Sequence, residues 1–237
     1  MSDLATSKVG ALVSENIKTA HIFKKHGIDF CCGGGISVED ACKKNNVSLS
    51  AVIEDLNNMD HEVDRQLDYN SWPLDFLIDH ILNIHHKYVL ESLPVISEYA
   101  EKVASVHGHH YTEVLKIRDH FRGLNDELLS HLQKEEVVLF PYVKRLLQMK
   151  QSGQSVDRDF VESPIKVMQM EHDRAGVVLR ELRKLSKNYM PPADACNTFR
   201  ALYHKLQEFE ADLHQHIHLE NNILFPKAIE LEESMKG

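Results

Sequence analysis

The chain has 237 residues, of which 43% are hydrophobic and 27% charged, and it carries a formal net charge of −9 with its 16 His counted neutral. That acidic balance, with no Lys/Arg cluster, argues against nucleic acid or an anionic membrane as partner, and no stretch approaches the about 18 apolar residues of a membrane span. The opening MSDLATSKVG has neither the basic start nor the apolar run of an export signal, so the expected compartment is the cytoplasm.

Only ten Gly and seven Pro are spread over the chain, which favours long helices. Apolar spacing (Leu12, Val13, Ile17, Ala20, Phe23) predicts a helix over 9–26, stopped by a basic last turn and Gly27. A loop follows, Asp29-Phe30-Cys31-Cys32-Gly33-Gly34-Gly35, with almost no side-chain bulk after the cysteines. Ser37, with Asp40 three residues on, has the pattern of a helix N-cap. A further helix is predicted over 50–64, then a polar linker over 65–71, with Pro73 at the first position of the next helix. Residues 1–65 thus read as a small helical domain and 73–232 as a second domain.

Four long helical segments are predicted in that second domain, at 73–106, 111–151, 164–188 and 194–232. Their short connections favour an up-down four-helix bundle, so the fold class is all-α. Pro94, Pro141 and Pro226 fall within these segments and predict kinks. Of four cysteines (Cys31, Cys32, Cys42, Cys196), two are adjacent, and no disulfide framework appears.

An internal repeat carries the most information. Residues 131–141 read HLQKEEVVLFP and residues 216–226 read HIHLENNILFP. Each has His, Glu four positions later, and Leu-Phe-Pro at the same offset. A His also lies upstream of each: His86 before His131, and His172 before His216. A helix with one His followed by a helix with His-x-x-x-Glu therefore occurs twice. The His-x-x-x-Glu spacing alone is weak, since it only places two residues on one helix face. It also occurs at His109/Glu113 and His204/Glu208, but only the copies at 131 and 216 share the downstream Leu-Phe-Pro.

Two such helix pairs can bring four imidazoles and two carboxylates together inside a bundle. Imidazole suits Zn, Cu, Fe and Ni, and carboxylates add hard, bridging oxygens. This donor set points to two non-haem Fe ions bridged by both Glu carboxylates, each iron taking two His, with positions left for an oxo bridge and an outside ligand. His85 competes with His86 as first ligand. His107, His109 and His110 read as solvated loop residues, and His204 with Glu208 as an exposed face. Glu171 and Asp126 are acid candidates near the site.

The loop Gly27-Ile28-Asp29-Phe30-Cys31-Cys32-Gly33-Gly34 resembles the N-terminal domain of the bacterial iron–sulfur cluster repair proteins. Residues 131–141, Met170-Glu171-His172-Asp173 with Ala175-Gly176, and residues 216–226 resemble that family's haemerythrin-like domain. The resemblance implies a haemerythrin-like bundle and a di-iron protein induced by nitrosative or oxidative stress that helps restore damaged iron–sulfur clusters. It places the iron ligands on His86, His131, Glu135, His172, His216 and Glu220, and the family's cysteine pair on Cys31 and Cys32. His85 departs from the aromatic residue expected before the first ligand.

The leading expectation is iron supply to damaged iron–sulfur proteins, with Cys31 and Cys32 as the reactive thiol pair. Other readings stay open at this level: nitric oxide reduction at the di-iron centre, O2 or NO carriage or sensing, and a purely structural bundle. The sequence allows a homodimer.

Overall fold

The computed structural model describes residues 2–31, 33–59, 68–156 and 160–236. Among the described residues every regular element is helical, and β pairing is confined to two isolated bridges, Lys8 with Ser37 and Val156 with Lys236. Five short helices come first: α1 (Ser2–Thr6), α2 (Val9–Glu15), α3 (Thr19–Lys25), α4 (Val38–Asn45) and α5 (Leu49–Asn57).

The single helix expected over 9–26 is in fact two, α2 and α3. Asn16 makes the break: its backbone is extended (φ −148°, ψ 103°), its Oδ1 accepts from the Lys18 N–H at 3.0 Å, and its carbonyl accepts from Thr19 Oγ1 at 2.8 Å. A short amide side chain offers the backbone a local alternative to the helix ladder, which apolar periodicity does not register. The stop at Gly27 falls where expected. Gly27 has φ +68°, the Ile28 N–H reaches Phe23 O at 2.8 Å and the Gly27 N–H reaches Lys24 O at 3.1 Å, the two bonds of a Schellman cap. Ser37 caps α4 by accepting from the Asp40 N–H at 3.1 Å. The helix expected over 50–64 ends at Asn57, and residues 60–67 lie outside the described ones. Of the expected linker, Tyr69–Ser71 forms a 3-10 turn.

Four long helical stretches follow. α6 (Leu74–His80) continues through a π-helical segment, Ile81–His86, into α7 (Lys87–His107). α8 (Glu113–Lys134) continues through a second, Glu135–Leu139, into α9 (Phe140–Gln151). α10 (Glu162–Leu185) is uninterrupted, and α11 (Asn197–Leu219) continues through a third π segment, Glu220–Leu224, into α12 (Phe225–Glu233). The turn before α11 carries three successive left-handed residues, Lys187, Asn188 and Tyr189 (φ 51°, 59° and 60°).

The chain divides into two compact units, which are described separately. One comprises Met1–Ile78, Met149–Asp159 and His214–Gly237; the other comprises Asp79–Gln148 and Phe160–Leu213. The first buries Val9, Val13, Phe23, Val38, Val52, Ile223 and Phe225. In it α2 packs against the Glu220–Leu224 segment. The Gly10 N–H donates to Gly34 O at 2.8 Å, and a Cβ on Gly34 would stand 3.0 Å from the Gly10 Cα. Glycine at 34 is therefore what lets the Cys-Cys-Gly-Gly loop lie on α2.

The second unit is the up-and-down bundle, in which α7 packs on α8 and α8 on α10. Its core takes one stripe from each helix: Leu93, Ile96 and Val103 of α7, Ile117, Phe121 and Leu124 of α8, Ile165 and Leu179 of α10, Phe199, Leu202 and Phe209 of α11. Along each helix these lie three, four, seven or fourteen residues apart, so each set falls on one helix face. Arg183 and Glu210 form a two-pronged ion pair between α10 and α11, with Nε to Oε1 at 3.1 Å and Nη2 to Oε2 at 2.9 Å.

Candidate metal centre

In the bundle unit, four of the nominated residues meet. His86 ends the first π segment, His131 lies in the last turn of α8, Glu135 opens the second π segment, and His172 sits midway along α10. His86 Nε2 stands 3.5 Å from Glu135 Oε2, and His131 Nε2 stands 3.3 Å from the same oxygen. His172 Nε2 lies 3.0 Å from His131 Nε2. His131, Glu135 and His172 each offer a ligand atom within 4.8 Å of the others. All four side chains are buried, Glu135 completely.

A carboxylate shut away from water is costly unless a cation or hydrogen-bond donors face it. Here it is faced by the Nε2 atoms of imidazoles, and their far edges show how those rings are held. His86 Nδ1 lies 2.8 Å from Glu136 Oε1, and His131 Nδ1 lies 2.9 Å from Glu171 Oε2. A carboxylate can only accept, so each Nδ1 carries a proton, which in the neutral imidazole leaves the Nε2 lone pair turned toward Glu135. Carboxylates behind imidazoles in this way orient metal ligands and raise their basicity. Lys134 also donates to Glu171. Burial works to raise the Glu171 carboxyl, but hydrogen bonds from Lys134 and His131 outweigh it and hold the group below its usual value. Converging Nε2 atoms and a buried carboxylate make a donor set that fits iron or another imidazole-binding metal.

His85, the rival of His86, turns the other way. Its Nδ1 lies 3.0 Å from Asp212 Oδ1, and its ring meets His80 edge-on at 5.6 Å. The remaining nominees stay outside the cluster. His204 and Glu208 are exposed, His109 and His110 stack at 4.9 Å on the surface, and His107 lies 3.1 Å from Cys196 Sγ.

The other unit holds the second copy of the motif. His216 Nε2 lies 3.0 Å from Glu220 Oε1, with both residues buried. Its neighbour His218 accepts from Asn222 Nδ2 at 3.0 Å, and its Nε2 faces Ser14 Oγ at 3.4 Å. Burial pushes the His218 imidazole down to about 4, so it is neutral at pH 7. In the same unit Cys31 is buried, with its thiol donating to Asp29 Oδ1 at 3.2 Å. Cys32 lies outside the described residues.

The repeated Leu-Phe-Pro now has a physical account. In each copy the Phe N–H bonds five residues back to the motif glutamate: Phe140 to Glu135 O, and Phe225 to Glu220 O. Pro141 and Pro226 come next. A proline in a regular α-helix lacks its N–H and clashes with the carbonyl four residues earlier. Widening the turn to a π segment relieves that clash, and the missing N–H ends the segment there. The kinks expected at Pro141 and Pro226 therefore take the form of π turns, each beginning on a glutamate of the motif, whereas Pro94 lies inside α7 with no π segment at it. The segment Ile81–His86 is also π, with Lys87 bonded to Leu82 O, but Tyr88 stands where the proline would be.

Sequence reasoning missed Glu136 and Asp212. Glu136 had a weak signal, as an acid beside Glu135 where the second copy has Asn221. Asp212 had none, because its partner is 127 residues away.

Comparison with known proteins bears on this geometry. Residues 77–228 match the family model described as "Hemerythrin HHE cation binding domain", and residues 5–60 match a "Domain of Unknown function (DUF542)". The chain is similar to the iron–sulfur cluster repair protein YtfE of Yersinia pseudotuberculosis serotype IB (strain PB1/+), with 37% identity over 227 residues, covering 96% of this chain and 98% of the relative. The protein of the same name from Yersinia pestis (strain Pestoides F) gives the same identity and coverage.

Proposed function

Because this chain belongs to the iron–sulfur cluster repair protein family with a haemerythrin HHE domain, we propose that it restores iron–sulfur clusters damaged by nitrosative or oxidative stress, working in the cytoplasm and supplying iron. The iron is the cargo as well as the bound metal. In this reading His86, His131, Glu135, His172, His216 and Glu220 would hold two irons. The recipients are proteins whose [2Fe–2S] or [4Fe–4S] clusters have lost iron, and Cys31 and Cys32 handle the exchange as thiols.

The observation that carries the proposal is the buried cluster of Nε2 atoms around Glu135, locked from behind by Glu136 and Glu171. Imidazole and carboxylate each bind protons in competition with metal, so iron held this way is released more readily as pH falls. Reduction to the ferrous state loosens it further, because the softer ion holds oxygen donors less strongly. In their neutral form His86 and His131 offer Nε2 as the metal-binding atom, because the acids behind them hold the proton on Nδ1. The π turns after Glu135 and Glu220 set the backbone where each carboxylate begins.

The test is transfer. Iron-loaded protein is mixed with a cluster enzyme inactivated by nitric oxide or peroxide, beside an iron-free control. Recovery of activity only with the loaded protein supports the proposal; equal recovery in both arms sinks it.

A further inference from the structure

At the end of α7 remote from His86, the bundle unit carries a thiol that the metal centre does not use. Cys31 and Cys42 are buried, whereas Cys196 is exposed. His107 Nε2 lies 3.1 Å from the Cys196 sulfur. His107 is the last residue of α7 and Cys196 stands immediately before α11, so the pair is joined across 89 residues of sequence. α7 is 21 residues long, which places the pair about 30 Å along the helix from His86.

We propose that Cys196 and His107 form a working thiol–imidazole pair, and that Cys196 is a modification site which exchanges with small disulfides to form a mixed disulfide.

Both partners are held in place. The His107 ring packs on the buried Phe199 ring with centroids 5.4 Å apart, and Phe199 also meets Tyr111 edge-on at 5.6 Å. The turn that presents Cys196 is clamped twice. Tyr111 donates its hydroxyl to Asp194 Oδ1 at 2.6 Å. Arg200 donates Nε to Ala195 O at 3.1 Å and Nη2 to Ala193 O at 2.9 Å. A nucleophile and a base already within hydrogen-bond reach need no search for each other when a third molecule arrives.

The surroundings suit negative charge on the sulfur as it reacts. The Cys196 carbonyl accepts the Arg200 N–H at 3.1 Å, the first bond of α11, so Cys196 sits at the positive end of a 23-residue helix. The acid of this turn is Asp194. Its carboxyl is held below the usual carboxylate range chiefly by the Tyr111 hydrogen bond, with its own backbone, His110 and His107 contributing. That anion is within electrostatic range of the imidazolium formed when His107 takes the thiol proton.

The exchange balances without an outside oxidant or reductant. The Cys196 proton moves to His107 Nε2, and the thiolate attacks one sulfur of the disulfide. One S–S bond breaks as another forms. The departing thiolate takes the proton from His107 and leaves as a thiol, and the reverse reaction restores Cys196.

The probe is glutathione disulfide, added to full-length protein at pH 7, with mixed disulfide at Cys196 followed by peptide mass spectrometry. A short peptide covering residues 190–201 gives the rate of the same cysteine without its partner. At pH 7 an ordinary thiol is only about 3% thiolate. Half ionisation raises that about 16-fold, and the weaker nucleophilicity of a more acidic thiol takes back about fivefold, leaving about threefold. The Cys196 rate in the protein should therefore be at least about threefold that of the peptide. His107→Gln keeps the bulk and a polar tip but cannot take the proton, and its Cys196 rate should fall by a similar factor. A turn that merely loosens in this variant would expose the sulfur and raise the rate. A parent rate no faster than the peptide overturns the proposal, as does a rate in folded His107→Gln equal to or above the parent. If circular dichroism shows that variant unfolded, the comparison of parent with peptide decides alone.

Discussion

Replacing Glu171 with Ala removes the acceptor behind His131 without touching a nominated ligand. The Nδ1–Oε2 distance is 2.9 Å, the His131 side chain is 4% exposed and that of Glu171 is 22% exposed, so water replaces the lost acceptor poorly. The imidazole then has less reason to keep its proton on Nδ1, and the tautomer with Nε2 protonated cannot bind metal. Losses of this kind lower metal affinity by about 10- to 100-fold, or about 1.4–2.7 kcal/mol. Glu136 does the same for His86 at 2.8 Å, but its side chain is 39% exposed. Water can stand in for it, and Glu136→Ala is expected at the low end, about tenfold. Lys134→Ala leaves the acceptor in place, and its effect should stay under about threefold, as for an exposed ion pair. The assay is anaerobic competition for ferrous iron against a chelator, with circular dichroism to show that each variant is folded. Affinity in Glu171→Ala within about twofold of the parent, or a greater loss in Glu136→Ala, would refute the reasoning.

Other consequences follow from the same geometry. Pro141→Ala restores an N–H where the π segment now ends, so the iron-free protein should melt higher while iron affinity falls; Ala is favoured over Pro in a regular helix by up to about 3 kcal/mol. No change in either quantity would leave the π turn without its assigned cause. Phe121→Ala, at a position 1% exposed, should cost about 3–5 kcal/mol in urea unfolding, and a cost under about 1 kcal/mol would show that the bundle core collapses around the gap. Asp29, lowered when folded, contributes stability that is present above its unfolded value and is lost as pH falls through the folded one. Urea titrations below about pH 4 should therefore show a loss in the parent that is absent from Asp29→Asn.

The four long helices were legible because apolar stripes at three- and four-residue steps run unbroken between Gly108, Gly153 and the 187–192 turn. The split at Asn16 was not, since it depends on a side chain bonding to its own backbone. The motif histidines and glutamates were legible only because they recur in register. Of these, the structure brings together His86, His131, Glu135 and His172 in one unit, and His216 with Glu220 in the other. The difference between His85 and His86 was beyond the sequence, because adjacent residues on a π turn diverge and only their partners, Asp212 and Glu136, show which way each points. The π turns themselves were half visible: the prolines announced a disturbed helix, but its form follows from where the Phe140 and Phe225 N–H groups go.

Iron content of the purified protein, by elemental analysis and Mössbauer spectroscopy, tests the proposed centre most directly. The parent should hold about two irons per chain, and His131→Ala and Glu220→Ala should each hold about one or fewer while remaining helical, if both residues are ligands as proposed. Full iron in both variants, or none in a parent loaded anaerobically with ferrous iron, would contradict it.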